Sequence, residues 1–241
     1  MGVRVQDAVP VAEVAIALGD SRWAGQAAPP YAGDMSLVYR ATLEPSKQDL
    51  VAAWLPSRPW AAGIEIAAKI AEYRFDDPAG EVGVETILFA DDAGVTVQVP
   101  LTYRAGPLEG GEQFLVGTTE HSVLGTRWVY DGCGDPVWAT TLVTAILTGG
   151  TQSQMYLEQD GVHVDVPPRM TVRGSGRPGA GVPVISSVPT VRDEGMTTVV
   201  SAGGLEIRVA RVVGAAVDGD ETLTGEVGGR SAVLAALRRT S

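Results

Sequence analysis

The chain has 241 residues, 45% of them hydrophobic, with a formal net charge of −11 and a pI near 4.6. That length holds one large domain or two small ones with a real core, and the acidic balance excludes nucleic acid and anionic membrane surfaces as expected partners. Cys133 is the sole cysteine, so no intrachain disulfide is expected; with only His121 and His163 beside it, no structural zinc site and no metal or cofactor are expected either.

Residues 1–34 read as a disordered extension. Residues 8–18 are mostly apolar, but Pro10 and Glu13 interrupt them, and Arg4 is the one basic side chain ahead. That is a poor leader for secretion. No run of about 18 apolar residues occurs anywhere, so no membrane-spanning helix is expected. The chain therefore reads as cytoplasmic. Residues 21–34, SRWAGQAAPPYAGD, show no sustained period and read as a linker. Met35, which opens MSLVYRATLEPSK, reads as an alternative start.

Ser46 and Asp49 make a capping-box-like start to a helix whose apolar face holds Leu50, Val51, Trp54 and Leu55. Pro56 ends it, because proline lacks an N–H and clashes with the preceding turn. Trp60, after Pro59, reads either as exposed at an interface or as partly buried, the commoner state of a tryptophan. Residues 81–89 and 95–101 read as a hairpin, with Asp91, Asp92 and Gly94 in the turn. Val95, Val97, Val99 and Leu101 alternate with Thr96, Gln98 and Pro100, the pattern of a half-buried strand, and Pro100 points to a sheet edge or to the strand's end. Asp135-Pro136 opens the clearest helix: Asp135 caps it, Pro136 sits where its missing N–H costs nothing, and Gly149-Gly150 ends it. Trp138, Leu142, Ala145 and Ile146 form its buried stripe. Beyond Gly150 the chain turns to short strands, including alternating Val162, Val164, Val166 and Leu205, Ile207, Val209, with a tight turn at Gly203-Gly204. Residues 231–239 read equally as a last helix or a last strand.

Several chemical motifs fail on their own terms. Gly174, Gly176 and Gly179 match G-x-G-x-x-G, but Pro178 lies inside and no helix pattern follows, so they read as a plain connection. His163-Val164-Asp165 contains H-x-D, yet Met170 stands where a kinase needs a magnesium-holding Asn, and no Asp-Phe-Gly follows. Cys133 with His121 and either Asp131 or Asp135 would supply a thiol, base and orienter, although a lone cysteine is ordinarily a small buried hydrophobe.

Residues 117–135, GTTEHSVLGTRWVYDGCGD, carry the best functional candidates: Glu120, His121, Arg127, Trp128, Tyr130 and Asp131. Carboxylates and Arg or His groups suit sugar hydroxyls, and an aromatic face suits sugar C–H groups. The ordinary alternative is that Glu120 and His121 hold a turn while Trp128 and Tyr130 pack inside.

This stretch, with VPLTYR (residues 99–104), PLEG (residues 107–110) and WLPSRPWAAG (residues 54–63), resembles the N-terminal cap of actinobacterial maltokinases. It is closer still to free-standing maltokinase N-terminal cap-like proteins, often labelled 1,4-alpha-glucan branching protein. The chain is far too short for that enzyme's barrel, so the label is not read as an activity. Arg58-Pro59-Trp60 and Ala61-Ala62-Gly63-Ile64 stand where such caps often read Arg-Trp-Phe and Gly-Lys-Gly. The resemblance implies an α+β cap over residues 35–150, a curved antiparallel sheet packed on helices in the cystatin-like manner. A second, β-rich subdomain is expected over residues 151–241.

The resemblance places the chain near maltose, trehalose and α-glucan metabolism. The expected role is a non-catalytic accessory or regulatory module that binds a sugar or a partner protein. Two alternatives stand beside it: a small sugar-active enzyme using Glu120, His121 and Asp131, or the cap subunit of a split sugar kinase.

Overall fold

The computed structural model describes residues 14–16, 35–159 and 162–240. Its strands and helices, in chain order, are β1 (Val14–Ile16), β2 (Met35–Arg40), β3 (Leu43–Glu44), α1 (Lys47–Trp54), β4 (Ala68–Phe75), β5 (Gly83–Ala90), β6 (Thr96–Arg104), β7 (Leu115–His121) and β8 (Gly125–Asp131). There follow α2 (Pro136–Thr148), β9 (Gln154–Gln159), β10 (Val162–Val166), β11 (Val172–Gly174), β12 (Thr190–Glu194), β13 (Thr197–Ala202), β14 (Leu205–Ala210), β15 (Glu221–Val227) and β16 (Arg230–Arg239). Short strands joined by tight turns dominate, so the architecture is β-rich with few helices.

Both helices form for the local reasons legible in the sequence. Ser46 accepts the Asp49 N–H and donates its hydroxyl back to the Asp49 carboxylate at 2.7 Å. Pro56 converts the end of α1 into a 3-10 turn over Leu55–Ser57. Asp135 accepts the Val137 N–H at 2.9 Å, Pro136 takes the first turn, and Gly149 closes α2 in the left-handed conformation.

The described strands form three sheets. One is antiparallel in the order β3-β7-β8-β6-β5-β4, and a second is antiparallel in the order β11-β15-β16-β14-β13-β12. The third, β1-β2-β9-β10, departs from the antiparallel expectation, since β2 and β9 run parallel. Of the expected extension over residues 1–34, all but Val14–Ile16 lies outside the described residues; Val14–Ile16 pairs with the end of β2.

The first sheet is covered on both faces. On one, Leu50, Val51 and Trp54 of α1 pack with Trp60 against Ile87, Phe89, Val97, Val99, Leu101 and Val129. On the other, Trp138, Leu142 and Ile146 of α2 share a core with Leu88 and Val84, and with Leu223, Leu234 and Leu237 of the second sheet. Each fully buried leucine of this kind contributes about 1.5–3 kcal/mol. This double cover corrects the half-buried reading of residues 95–101: Val97 through Tyr103 are buried without a break.

The structure decides three further readings. Trp60 is only 4% exposed; its ring meets Trp54 edge-on at 5.9 Å and lies under the Arg211 guanidinium. Pro100 sits in β6, a central strand. The Gln98 N–H on the same side bonds to the Arg211 carbonyl, and pairing with β8 begins only at Leu101. Pro100 therefore occupies the gap between two partners, where no N–H is required. Residues 231–239 belong to β16, whose Leu234–Leu237 are buried between β14 and β15.

The glycine motif has a packing explanation. Gly176 donates to the Ile146 carbonyl and Arg177 to the Leu147 carbonyl, satisfying the open C-terminus of α2. A Cβ at Gly174 would lie 2.0 Å from the Ala145 oxygen, and one at Gly176 would lie 2.0 Å from the Leu147 oxygen. The turn at Gly203 and Gly204 has φ of 56° and 72°, the positive pair a two-residue hairpin needs.

Candidate functional site

Residues 115–131 form the β7–β8 hairpin. Its register pairs Thr118 with Trp128, Thr119 with Arg127, Glu120 with Thr126 and His121 with Gly125. Successive side chains in a strand point to opposite faces. The pleat therefore splits the six candidates: His121, Arg127 and Asp131 face α1, while Glu120, Trp128 and Tyr130 face the other way.

On the α1 face, His121 Nδ1 accepts the Val123 and Leu124 N–H groups, both at 3.1 Å. Arg127 Nη2 donates to the Leu124 carbonyl. These two side chains hold the tip of the hairpin. Asp131 Oδ1 accepts the Cys133 N–H and its Oδ2 accepts Arg211 Nη2, so this carboxylate is spent on structure. On the opposite face Tyr130 is buried, its hydroxyl accepting the Leu108 N–H at 2.9 Å. Glu120 is exposed and accepts the Thr126 hydroxyl, and Trp128 is half-buried. Glu120, His121 and Asp131 thus do not converge on one concavity.

Cys133 is fully buried, and burial pushes its thiol pKa well up. Asp135 is also fully buried; besides capping α2 it accepts the Thr102 hydroxyl and two N–H groups of Arg104, each at 2.7 Å.

The hairpin tip borders a small cleft lined by Leu43, Lys47, Gly83, Tyr103, His121, Leu124 and Arg127. Beneath it lies a charge cluster not anticipated from the sequence. Glu85, fully buried, accepts Lys47 Nζ at 2.8 Å, the Tyr103 hydroxyl at 2.9 Å and Arg74 Nη2 at 2.9 Å. Lys47 also lies 5.4 Å from the Tyr103 ring centre. Burial lowers the Lys47 pKa against the pull of Glu85. For Glu85, burial works upward, but Lys47 and then Arg74 hold its pKa well below the ordinary carboxylate value. One signal did exist: Lys47, Leu50, Val51 and Trp54 fall at i, i+3, i+4 and i+7, which puts the lysine on the buried stripe of α1.

Among the described residues no group of three or more His, Cys, Asp or Glu side chains is placed to hold a metal ion. None of their helices is long and apolar enough to cross a membrane.

The segment from the last residue of α1 to the cap of α2 is similar to a known family. Residues 54–135 match the family model of the maltokinase N-terminal cap domain. The match bears out the resemblance read from the sequence, and it spans β4 to β8, the core of the first sheet. The curated proteins contain no match to the chain. Within this cap region the cleft residues Gly83, Tyr103, His121, Leu124 and Arg127 lie inside the matched span, while Leu43 and Lys47 precede it.

Proposed function

We propose that this chain is a non-catalytic accessory or regulatory module of maltose, trehalose and α-glucan metabolism, acting in the cytoplasm by binding a sugar or a partner protein. The observation that carries the reading is the cap-family match over residues 54–135. The polar groups of β8 support it, because Asp131 and Arg127 are bonded within the fold rather than presented to a substrate. Residues 35–150 would act as the cap unit and residues 151–241 as the β-rich unit supporting it.

The sugar-contacting surface we favour is the outward side of the β7–β8 hairpin. There Trp128 is half-buried, and Thr118 and Glu120 are exposed on the same side. An indole face beside a carboxylate and a hydroxyl suits a glucosyl unit. A thermal-shift titration with maltose, trehalose and short glucans tests it. A ligand bound only by the folded state raises the melting temperature by mass action. A saturable shift abolished in Trp128→Ala supports sugar binding at this face. No shift with any of them, in a cooperatively melting sample, rejects sugar binding and leaves the partner protein.

A further inference from the structure

One imidazole holds the turn between β7 and β8. His121 Nδ1 accepts the N–H groups of Val123 and Leu124, both at 3.1 Å. Neither N–H has a backbone acceptor among the described residues. A ring nitrogen that accepts carries a lone pair, so the two donors assign His121 as the neutral ring with its proton on Nε2. The residue is 4% exposed, so little water competes for the same donors.

The same turn supplies one wall of the cleft. Leu124 lines it together with Leu43 and Tyr103. Cleft-lining side chains hold both backbone groups of Leu124: His121 takes its N–H, and Arg127 Nη2 donates to its carbonyl. Ser122 is fixed separately, by exchanging bonds with Thr42 at 3.0 and 3.1 Å, so the imidazole controls Val123 and Leu124 alone. The other titratable or charged groups bordering the cleft are Lys47 of α1, Tyr103 of β6 and Arg127 of β8. Beneath them lies Glu85 of β5, bonded to Lys47, to Tyr103 and to Arg74 of β4. Glu44 of β3 pairs with Glu120 on the other face of the sheet. Of the groups on the cleft side, the imidazole is the one whose ordinary pKa falls between about pH 5 and pH 8.

We propose that His121 is a proton-operated latch on this turn, closed when the ring is neutral and open when it is charged. A proton taken from solvent occupies Nδ1, the one ring nitrogen with a lone pair. The acceptor then becomes a donor facing two other donors, and both bonds are lost. Val123 and Leu124 lift, Leu124 leaves the cleft wall, and the apolar surface of Leu43 is uncovered. The latch lies on the face of the sheet opposite Trp128 and Glu120, so it is independent of the proposed sugar surface.

The full chain, labelled with 15N and 13C, is followed by NMR from about pH 8 down to about pH 5, the range of an ordinary imidazole titration. His163 is the only other histidine, and His163→Gln separates its ring signals from those of His121. At the alkaline end a long-range 1H–15N spectrum should show Nδ1 of His121 bare and Nε2 protonated. As the pH falls, the Val123 and Leu124 amide protons should move upfield together, and the Leu124 methyl signals should shift, all with the midpoint of the His121 ring. In His121→Asn, Oδ1 can accept the same N–H groups and does not titrate, so these signals should hold still over the whole range. Should His121→Asn fail to fold, the coincidence of midpoints in the unaltered chain decides. The proposal is overturned by a ring that carries its proton on Nδ1 at the alkaline end, or that stays neutral until the whole chain unfolds. It is equally overturned by a ring that titrates while the two amides or the Leu124 methyl groups stay in place, or by the same movement in His121→Asn.

Discussion

Arg211 donates from Nη2 to Asp131 Oδ2 across 80 positions of sequence, and its guanidinium lies 4.8 Å from the centre of the Trp60 ring. The same side chain donates from Nε to the Thr198 hydroxyl at 2.8 Å. One residue leaving β14 thus joins the end of β8, the turn after α1 and strand β13. Arg211 is 1% exposed and Asp131 4%, so neither charge has water to fall back on.

Arg211→Met should therefore cost about 3–5 kcal/mol, since it strands a buried carboxylate. The double variant Arg211→Met, Asp131→Asn should cost less than the sum of the two single changes, because the second removes the stranded charge. Urea unfolding of the four proteins measures both. Additive losses would show that the pair is not coupled.

Glu85 sets the response to acid. Its folded pKa lies well below the ordinary 4.5, so its contribution to stability is fully present above that value and is lost as pH falls through the lower folded one. Lys47 works in the same direction in a higher pH window: with its folded pKa depressed from 10.5, the unfolded chain binds more protons in the interval below that value, and stability rises with pH there. Glu85→Gln should lower stability at neutral pH by about 3–5 kcal/mol, because Lys47 and Arg74 lose their buried counter-charge. It should also flatten the acid limb of a plot of melting temperature against pH. An unchanged acid limb would locate the acid sensitivity elsewhere.

Gly176→Ala should destabilise the fold by about 2 kcal/mol or more, as the added methyl group drives the loop off the end of α2 and opens carbonyls held by Gly176 and Arg177. Gly181, with nothing within 4 Å of an added Cβ, is the control; Gly181→Ala should stay within about 0.5 kcal/mol. Thermal melts compare the pair. Equal losses would refute the close-approach account.

Cys133 should resist thiol reagents in the folded chain. It is fully buried and its thiol pKa is pushed well up, so the reactive thiolate is scarce and out of reach. Labelling with iodoacetamide, followed by mass spectrometry, should proceed at the rate of unfolding. Fast labelling of native protein would restore the thiol as a candidate nucleophile.

What the sequence determined by itself was local. Ser46 with Asp49, Asp135-Pro136 with Gly149, and Gly203-Gly204 each marked an element boundary correctly, because caps and tight turns rest on hydrogen bonds and backbone angles within a few residues. The cap-type stretch was legible too, through a set of motifs between residues 54 and 135. The tertiary structure alone decided which strand lies beside which. That order put Pro100 in a central strand, buried Trp60 under Arg211, and brought Lys47 to Glu85 across 38 positions. The separation of Glu120 from His121 onto opposite faces needed no such order, since the pleat of β7 alone imposes it. Long-range pairing of charges depends on sheet order and on what covers each face, and a single chain of letters carries no direct record of either.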